Sequence, residues 1–341
     1  MRAMAYPAYE GPLEQIELPE PELVPGTALL EVLTCGICFS DVKTWLGQMP
    51  FSDRLPLPHV PGHEVVARVV ATDPPGALPA GTNVVVYHLR PCRVCERCRA
   101  GEENLCRQPA GWMGFTHPGG LRERMVVPLD RLTVVPEGID PVHAAPMTCA
   151  LGTAYRATVT RGRVAAGTRV GVIGLGGVGI HALQIARAAG AEAIGFDVST
   201  RALDAARALG LDARPAGEEG GGGAHELDVV IDAVGQEATM RQAEQLVRAG
   251  GRIVAVGYSA TSSFVVPSRR FVLEEVELVG SRYVRMDELQ RAIQLVADGR
   301  VQIVVDAVKP FARAGEALTA LREGGVVGRL VVDVAGVTDA R

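Results

Sequence analysis

One stretch restricts the fold of this chain more than any other: Arg169-Val170-Gly171-Val172-Ile173-Gly174-Leu175-Gly176-Gly177-Val178-Gly179. A short apolar run, the length of one buried strand, enters a glycine turn, and helical spacing follows over 180–189. Gly174, Gly176 and Gly179 fit G-x-G-x-x-G. In that pattern the first glycine allows a tight turn and the second lets a pyrophosphate approach the backbone. The third lets helix and strand pack closely. The helix N-terminus beyond the turn offers unpaired N–H groups to phosphate. A second apolar run, 193–196, closes on Asp197. An acid about 20 residues past the glycines takes the ribose hydroxyls of a dinucleotide. Strand, turn, helix and acid together predict dinucleotide binding.

The pattern around this turn repeats in kind. Strand candidates at 169–173, 193–196, 228–233, 252–256 and 276–280 alternate with helix candidates at 178–189, 200–209, 236–249 and 287–298. Such alternation predicts a parallel sheet covered by helices on both faces. The first 90 residues or so read differently. Short apolar runs at 28–33, 65–70 and 84–87 are broken by Pro and Gly, as in an all-β domain. Runs at 126–128 and 132–136 continue it, and the tail from 301 returns to short strands. The expected domains are therefore 1–149, 150–283 and a return, 284–341, to the first. The glycine-rich run 217–224 reads as a surface loop without chemistry.

Seven cysteines carry the next signal. Four follow Cys92-x2-Cys95-x2-Cys98-x7-Cys106. Four thiolates in one short loop suit a tetrahedral Zn²⁺, and a site filled by protein is structural. An iron–sulfur cluster uses four thiolates too, and is the alternative. Arg90, Arg93, Arg97, Arg99 and Arg107 surround the loop, but Glu96, Glu102 and Glu103 interleave with them. A solvated mixed-charge loop, not a nucleic-acid surface, is the expectation. A net charge of −5 without a dense basic run also speaks against nucleic acid and anionic membrane. No apolar stretch approaches about 20 residues, so no membrane span is expected. Clustered thiols suit the cytoplasm.

Cys38, His63 and Cys149 remain, and spacing alone does not join them. Their segments are Cys35-Gly36-Ile37-Cys38-Phe39-Ser40-Asp41, Val60-Pro61-Gly62-His63-Glu64 and Ala144-Ala145-Pro146-Met147-Thr148-Cys149. With the four-cysteine loop, the glycine turn and Gly328-Arg329, these segments resemble the zinc-containing alcohol dehydrogenases of the medium-chain dehydrogenase/reductase family. The likeness runs over essentially the whole chain. It implies a Rossmann doubly wound domain joined to a mostly-β, GroES-like catalytic domain bearing the structural zinc lobe. It implies two Zn²⁺ per chain, the catalytic one on Cys38, His63 and Cys149 with a fourth position open. Glu64 resembles the acid that can approach that metal as an alternative ligand. Asp41 resembles the acceptor that orients the histidine, and Ser40 the hydroxyl that takes the alcohol proton. The implied cofactor contacts are Gly174, Gly176, Gly177, Val178, Gly179, Asp197, Arg201, Thr153 and Arg329, and the implied cofactor is NAD.

The resemblance further implies hydride transfer between an alcohol, or its aldehyde or ketone, and NAD. Alternatives are a polyol or amino-alcohol dehydrogenase, a reductase of a biosynthetic aldehyde or conjugated double bond, and a non-catalytic dinucleotide-binding protein. Relatives form dimers or tetramers, so a homodimer or homotetramer is expected. Two departures stand out: Lys43 replaces a common relay histidine, and Phe39 replaces a basic or small residue. Cys35 reads as a packed residue and His59 as a partly exposed strand-to-turn residue, with a ligand role as the alternative; His88, His143, His181 and His225 read as surface or packed residues. His117 sits in a loop for which facing the active site is one reading. Trp45, Met49, Phe51, Trp112 and Phe115 are expected to line an interdomain cleft, favouring aliphatic or aromatic alcohols over polyols.

Asp197 favours NAD because a carboxylate repels a 2′-phosphate. Asp197→Ser should weaken NAD use about ten-fold or more, the worth of a charge-assisted hydrogen bond, and relax the preference over NADP. Steady-state kinetics with both cofactors check this; equal use of both by the unmutated protein removes the assignment.

Overall fold

A computed structural model describes residues 1–217, 226–259 and 261–338. Apart from Gly217, the run expected as a loop at 217–224 lies outside the described residues. The chain divides into two compact units. One holds Met1–Cys149, Arg285–Ile293 and Val305–Arg341, and the other Ala150–Val284 and Gln294–Val304.

The first unit is built on β1 (Thr27–Ile37), whose eleven residues are almost all buried. A short helix, α1 (Phe39–Trp45), follows directly. The strands β2 (Glu64–Thr72), β3 (Asn83–Val86), β4 (Arg124–Pro128) and β5 (Leu132–Val134) are rich in valine. β-Branched side chains suit a pleated, buried surface. β1 pairs antiparallel with β2 and, through its first half, with β4.

Among the described residues the second unit holds six strands: β6 (Arg169–Ile173), β7 (Glu192–Asp197), β8 (Asp212–Pro215), β9 (Leu227–Asp232), β10 (Val247–Ala255) and β11 (Glu277–Gly280). Every pairing is parallel, in the order β8-β7-β6-β9-β10-β11. That is the doubly wound order, whose switch point lies between β6 and β9. At the end of β6 the chain enters the glycine turn and α2 (Gly179–Ala188). Gly174 has φ +86°, which side chains rarely adopt. A Cβ on Gly179 would stand 1.7 Å from the Gly174 carbonyl oxygen. The chain then runs through α3 (Ser268–Leu273), β11 and α4 (Met286–Ala297).

The last strands, β12 (Val305–Pro310) and β13 (Arg329–Asp333), rejoin the first sheet, giving β12-β13-β1-β2-β3-β5 with β4 on β1. Their register decides where chemistry can gather. Gly36 lies opposite Glu64, and Ile37 opposite Leu330. The end of β1 and the starts of β2 and β13 therefore meet at one edge of the sheet. Cys38, His63, Glu64 and Arg329 all lie within a residue or two of that edge. The four-cysteine loop is fixed separately: Glu103 accepts the Met286 N–H at 2.7 Å, at the start of α4. Among the described residues no helix is long and apolar enough to cross a membrane.

Gly179→Ala places an atom against backbone that cannot yield. We expect a loss of about 3 kcal/mol or more, at the upper end for overpacking, read by urea denaturation; unchanged stability would contradict the turn geometry.

Candidate active site

Asp41 organises the first site. It lies in α1, fully buried. Its Oδ2 accepts the Cys38 N–H at 2.8 Å, and its Oδ1 accepts the Gly62 N–H at 3.2 Å. Oδ1 also lies 3.0 Å from His63 Nδ1. A carboxylate only accepts, so Nδ1 is the donor, and in the neutral ring His63 Nε2 carries a lone pair. Nε2 is buried without a hydrogen-bond partner. A buried acceptor left unmatched is costly, unless a ligand takes it.

The candidate ligand is a metal ion. Donor atoms of Cys38, His63, Glu64 and Cys149 all lie within 4.8 Å of one another. Residues 25 and 86 positions apart in sequence thus share one pocket. Hydrogen bonding to Cys149 draws the Cys38 thiol well below its usual range, against burial, and Arg329 and His63 add to this. Two sulfurs and one imidazole are a donor set of catalytic zinc. Glu64 is held differently from the other three. Arg329 grips it with Nε at 2.9 and 3.1 Å from its two oxygens, and another Arg329 nitrogen lies 3.4 Å from Cys38 Sγ. Burial pushes the Glu64 carboxyl up to about 7, with Arg329 opposing. Arg329, expected from the resemblance to meet the cofactor, thus lies against the metal donors. The sequence offered no signal for that contact, because 265 residues separate it from Glu64.

The second cluster is Cys92, Cys95, Cys98 and Cys106, again with donors within 4.8 Å. The Cys95 and Cys98 sulfurs are 3.5 Å apart, and those of Cys92 and Cys98 4.0 Å. A tetrahedral Zn with bonds of about 2.3 Å sets its sulfurs about 3.8 Å apart, so the loop fits the ion. Backbone N–H groups of Arg107 and Cys98 bring the Cys95 thiol down to about 6, toward the thiolate a metal needs.

In the other unit, Asp197 closes β7 beside the glycine turn. Its Oδ2 accepts the Leu175 N–H at 2.6 Å, and its Oδ1 the Ser199 N–H at 2.8 Å. The acid and the turn that the sequence paired are thereby in contact. Gly174, Gly176, Gly177, Val178 and Gly179 form the turn into α2. Arg201 is exposed at the start of the next helix, and Thr153 is buried in the helix Ala150–Tyr155.

Other residues settle elsewhere. Cys35 is buried among apolar neighbours. His59 is buried, with Nε2 3.1 Å from the Gly114 carbonyl oxygen, and His181 bonds to Gly177 and Val304. Trp45 lies in the core of its unit, donating to the Gly11 carbonyl under Arg322. Phe51, Trp112 and Phe115 do come together, in one unit, beside His63. Lys43 lies 5.8 Å from the centre of the Phe39 ring, and burial lowers its pKa. Ser40 is half-buried in α1, and its carbonyl accepts the Thr44 hydroxyl at 2.8 Å. His88, expected only as a surface or packed residue, stands against the His63 ring.

Known proteins resemble this chain over nearly its whole length. The profile of the alcohol dehydrogenase GroES-like domain matches residues 24–137, and that of the zinc-binding dehydrogenases matches 177–298. An alcohol dehydrogenase of Geobacillus stearothermophilus is 30% identical over 346 residues, covering 98% of this chain and 100% of its own. The crystal structure of an NAD-dependent alcohol dehydrogenase superposes with a TM-score of 0.89 at 29% identity, over 98% of this chain and 100% of that one. Acetophenone reductase from Geotrichum candidum, in complex with NAD, gives 0.86 at 27%, over 97% of each. The chain belongs to the zinc-containing alcohol dehydrogenases of the medium-chain dehydrogenase/reductase family. It is an enzyme that interconverts alcohols and carbonyl compounds, using zinc and a nicotinamide cofactor.

Asp41→Ala removes the acceptor that orients His63. Losing such a partner costs ten- to a hundred-fold in metal affinity, in order of magnitude. Metal analysis at limiting free zinc should show the content of each chain falling by about one ion; unchanged content would show that Asp41 does not serve the metal.

Proposed function

We propose that this chain oxidises apolar primary or secondary alcohols with NAD, in the reversible sense, on a zinc held by Cys38, His63 and Cys149. The observation that carries the reading is the buried, unpartnered His63 Nε2 facing two cysteine sulfurs. Zinc there would supply Lewis-acid polarisation of the alcohol or carbonyl oxygen. A second zinc on Cys92, Cys95, Cys98 and Cys106 would hold the loop, since binding energy at a closed site is folding energy.

The chain's own residues do the rest. Asp41 keeps His63 in the tautomer whose Nε2 is a ligand. Arg329 holds Glu64 through both carboxylate oxygens, so that Cys38, His63 and Cys149 would be the metal's ligands. Ser40, two residues past Cys38 in α1, takes the alcohol proton. Lys43, one helical turn further, is half-buried with a lowered pKa, and water carries the proton onward. Asp197 accepts the ribose hydroxyls on oxygen lone pairs beyond those given to Leu175 and Ser199, and so selects NAD. The turn 174–179 and the N-terminus of α2 hold the pyrophosphate, with Thr153 and Arg201 at the cofactor.

All seven cysteines lack disulfide partners, which suits a reducing cytoplasm. Among the described residues β11 ends its sheet with β10 as its one neighbour, and α3 beside it exposes Phe271, Val272 and Leu273 at 44, 67 and 71%. An open edge with an apolar flank favours pairing with another copy, hence a homodimer or homotetramer.

The test is a panel of alcohols scored by NADH absorbance, with metal content measured on the same preparation. Two zincs per chain and turnover are expected, with rates falling about a hundred-fold or more when a chelator strips the exchangeable ion. Full activity after chelation would sink the zinc role. Light scattering of that preparation should give a multiple of 36.0 kDa; a monomer would remove the oligomer.

A further inference from the structure

The parallel sheet of the second unit has two ends, and the glycine turn occupies the one at the carboxyl ends of the strands. At the opposite end lies a recess of about 380 Å³, a size that suits small ligands. Its polar lining is Arg163, Thr168, Asp228, Arg248, Arg252 and Glu277, set among glycines and small apolar residues. All of these belong to one compact unit. The register gathers them: Arg252 of β10 stands beside Val229 near the start of β9 and beside Glu277 at the start of β11. β6 runs the five residues from Arg169, at this end, to Ile173, before the turn. At about 3.3 Å per residue the recess and the turn are about 15 Å apart.

The acids of the recess are fully matched. Both oxygens of Glu277 accept from one terminal nitrogen of Arg252, at 2.6 and 2.8 Å. Asp228 accepts the Arg248 Nε–H at 2.6 Å on Oδ1 and the Arg169 N–H at 2.7 Å on Oδ2, with the Arg169 side chain 3.5 Å away. Against burial, Arg248 and Arg169 hold the Asp228 carboxyl below the usual range. Arg252 is only 7% exposed and is fixed further by donating to the Arg161 carbonyl at 2.8 Å.

Donors, by contrast, are in surplus. Among the described residues Arg163 has no hydrogen-bond or ion-pair partner. Arg248 gives Nε to Asp228 and one terminal nitrogen to the Ala249 carbonyl, which leaves its other terminal nitrogen to donate. The Thr168 hydroxyl accepts the Ala165 N–H at 3.1 Å, and its own hydrogen is left to donate. With Arg169 included, four guanidiniums face two carboxylates, on a chain whose net charge is −5.

The backbone of Arg163 is the second observation. Its φ is +55°, a region that long side chains rarely occupy and that glycine takes without strain. Its neighbours Gly162 and Val164 are buried, so the strained residue is the one turned outward. Strain of this kind persists at ligand clamps, where the side chain repays it.

We propose that this recess binds a phosphate monoester of a small metabolite, at a site separate from the dinucleotide turn. Arg163 and Arg248 grip the phosphate, since guanidinium matches its oxygens two at a time, and Thr168 donates to a third oxygen. A carboxylate has too few oxygens for these donors. The space beyond the phosphate takes the organic part.

The test is calorimetric titration of glycerol 3-phosphate, inorganic phosphate and glycerol into the zinc-loaded protein, with the turn filled by saturating NAD. The ester should bind, inorganic phosphate should bind more weakly, and glycerol should not bind. Arg163→Gly should weaken the ester about ten-fold or more, the worth of a charge-assisted hydrogen bond. Its melting temperature without ligand should not fall, because glycine suits the φ. Arg163→Lys, which keeps the charge, should retain part of the affinity. Arg248→Gln, which keeps a donor toward Asp228, should weaken the ester as well. Unchanged ester affinity in Arg163→Gly and in Arg248→Gln would overturn the proposal. So would loss of ester binding on adding NAD, which would put the ester at the turn. Inorganic phosphate binding as tightly as the ester would remove the monoester class. If NAD failed to bind while the ester bound in an Arg163-dependent way, the cofactor reading would fall and this site would stand.

Discussion

A single carboxylate holds the first site together. Asp41 takes the Cys38 N–H, the Gly62 N–H and the His63 imidazole on its two oxygens. Those groups come from the end of β1 with α1 and from the segment before β2. The contact therefore sets the distance between a sulfur donor and a nitrogen donor as well as orienting the ring. Buried without these three partners, the charge would cost several kcal/mol. With them it is satisfied, and the unmatched polar atom is moved to His63 Nε2. The fold places the deficit where a metal can fill it.

Charge around that deficit is balanced by neighbours in the same sheet. Glu64 and Arg329 are both buried and form a two-point contact. Arg329 also lies near the Cys38 sulfur. Thus one guanidinium restrains a carboxylate that would otherwise compete for metal and favours the thiolate that binds it. Such a pair adds little net stability, since desolvation offsets attraction. Its value is positional: it fixes the acid beside the Cys38, His63 and Cys149 donors. The cysteine loop works differently, because its four ligands lie within fifteen residues and its geometry is local.

Much of this was legible from residue order. The glycine turn, Asp197 and the alternation of strands and helices specify the parallel sheet, because each depends on neighbours along the chain. The structure placed Asp197 on the turn itself, through the Leu175 N–H. The helix expected over 236–249 ended sooner, at Leu246, since β10 begins at Val247 and is longer than the run 252–256 suggested. There the pairing with β9 outweighed local helical spacing. Trp45 shows the opposite limit. Its apolar surface was visible, but nothing in its neighbours says that Gly11 and Arg322 would enclose it.

The sequence by itself determined the dinucleotide turn and the four-sulfur loop. In both, every essential atom lies within a few residues of the next, so spacing is geometry. Only the tertiary structure decided that Cys38, His63 and Cys149 share one pocket, that Arg329 holds Glu64, and that His88 faces His63. Those contacts join residues tens to hundreds of positions apart. The meeting of Cys38, His63, Glu64 and Arg329 is set by the register of β1 against β2 and β13, and register is a property of paired strands that no single strand carries.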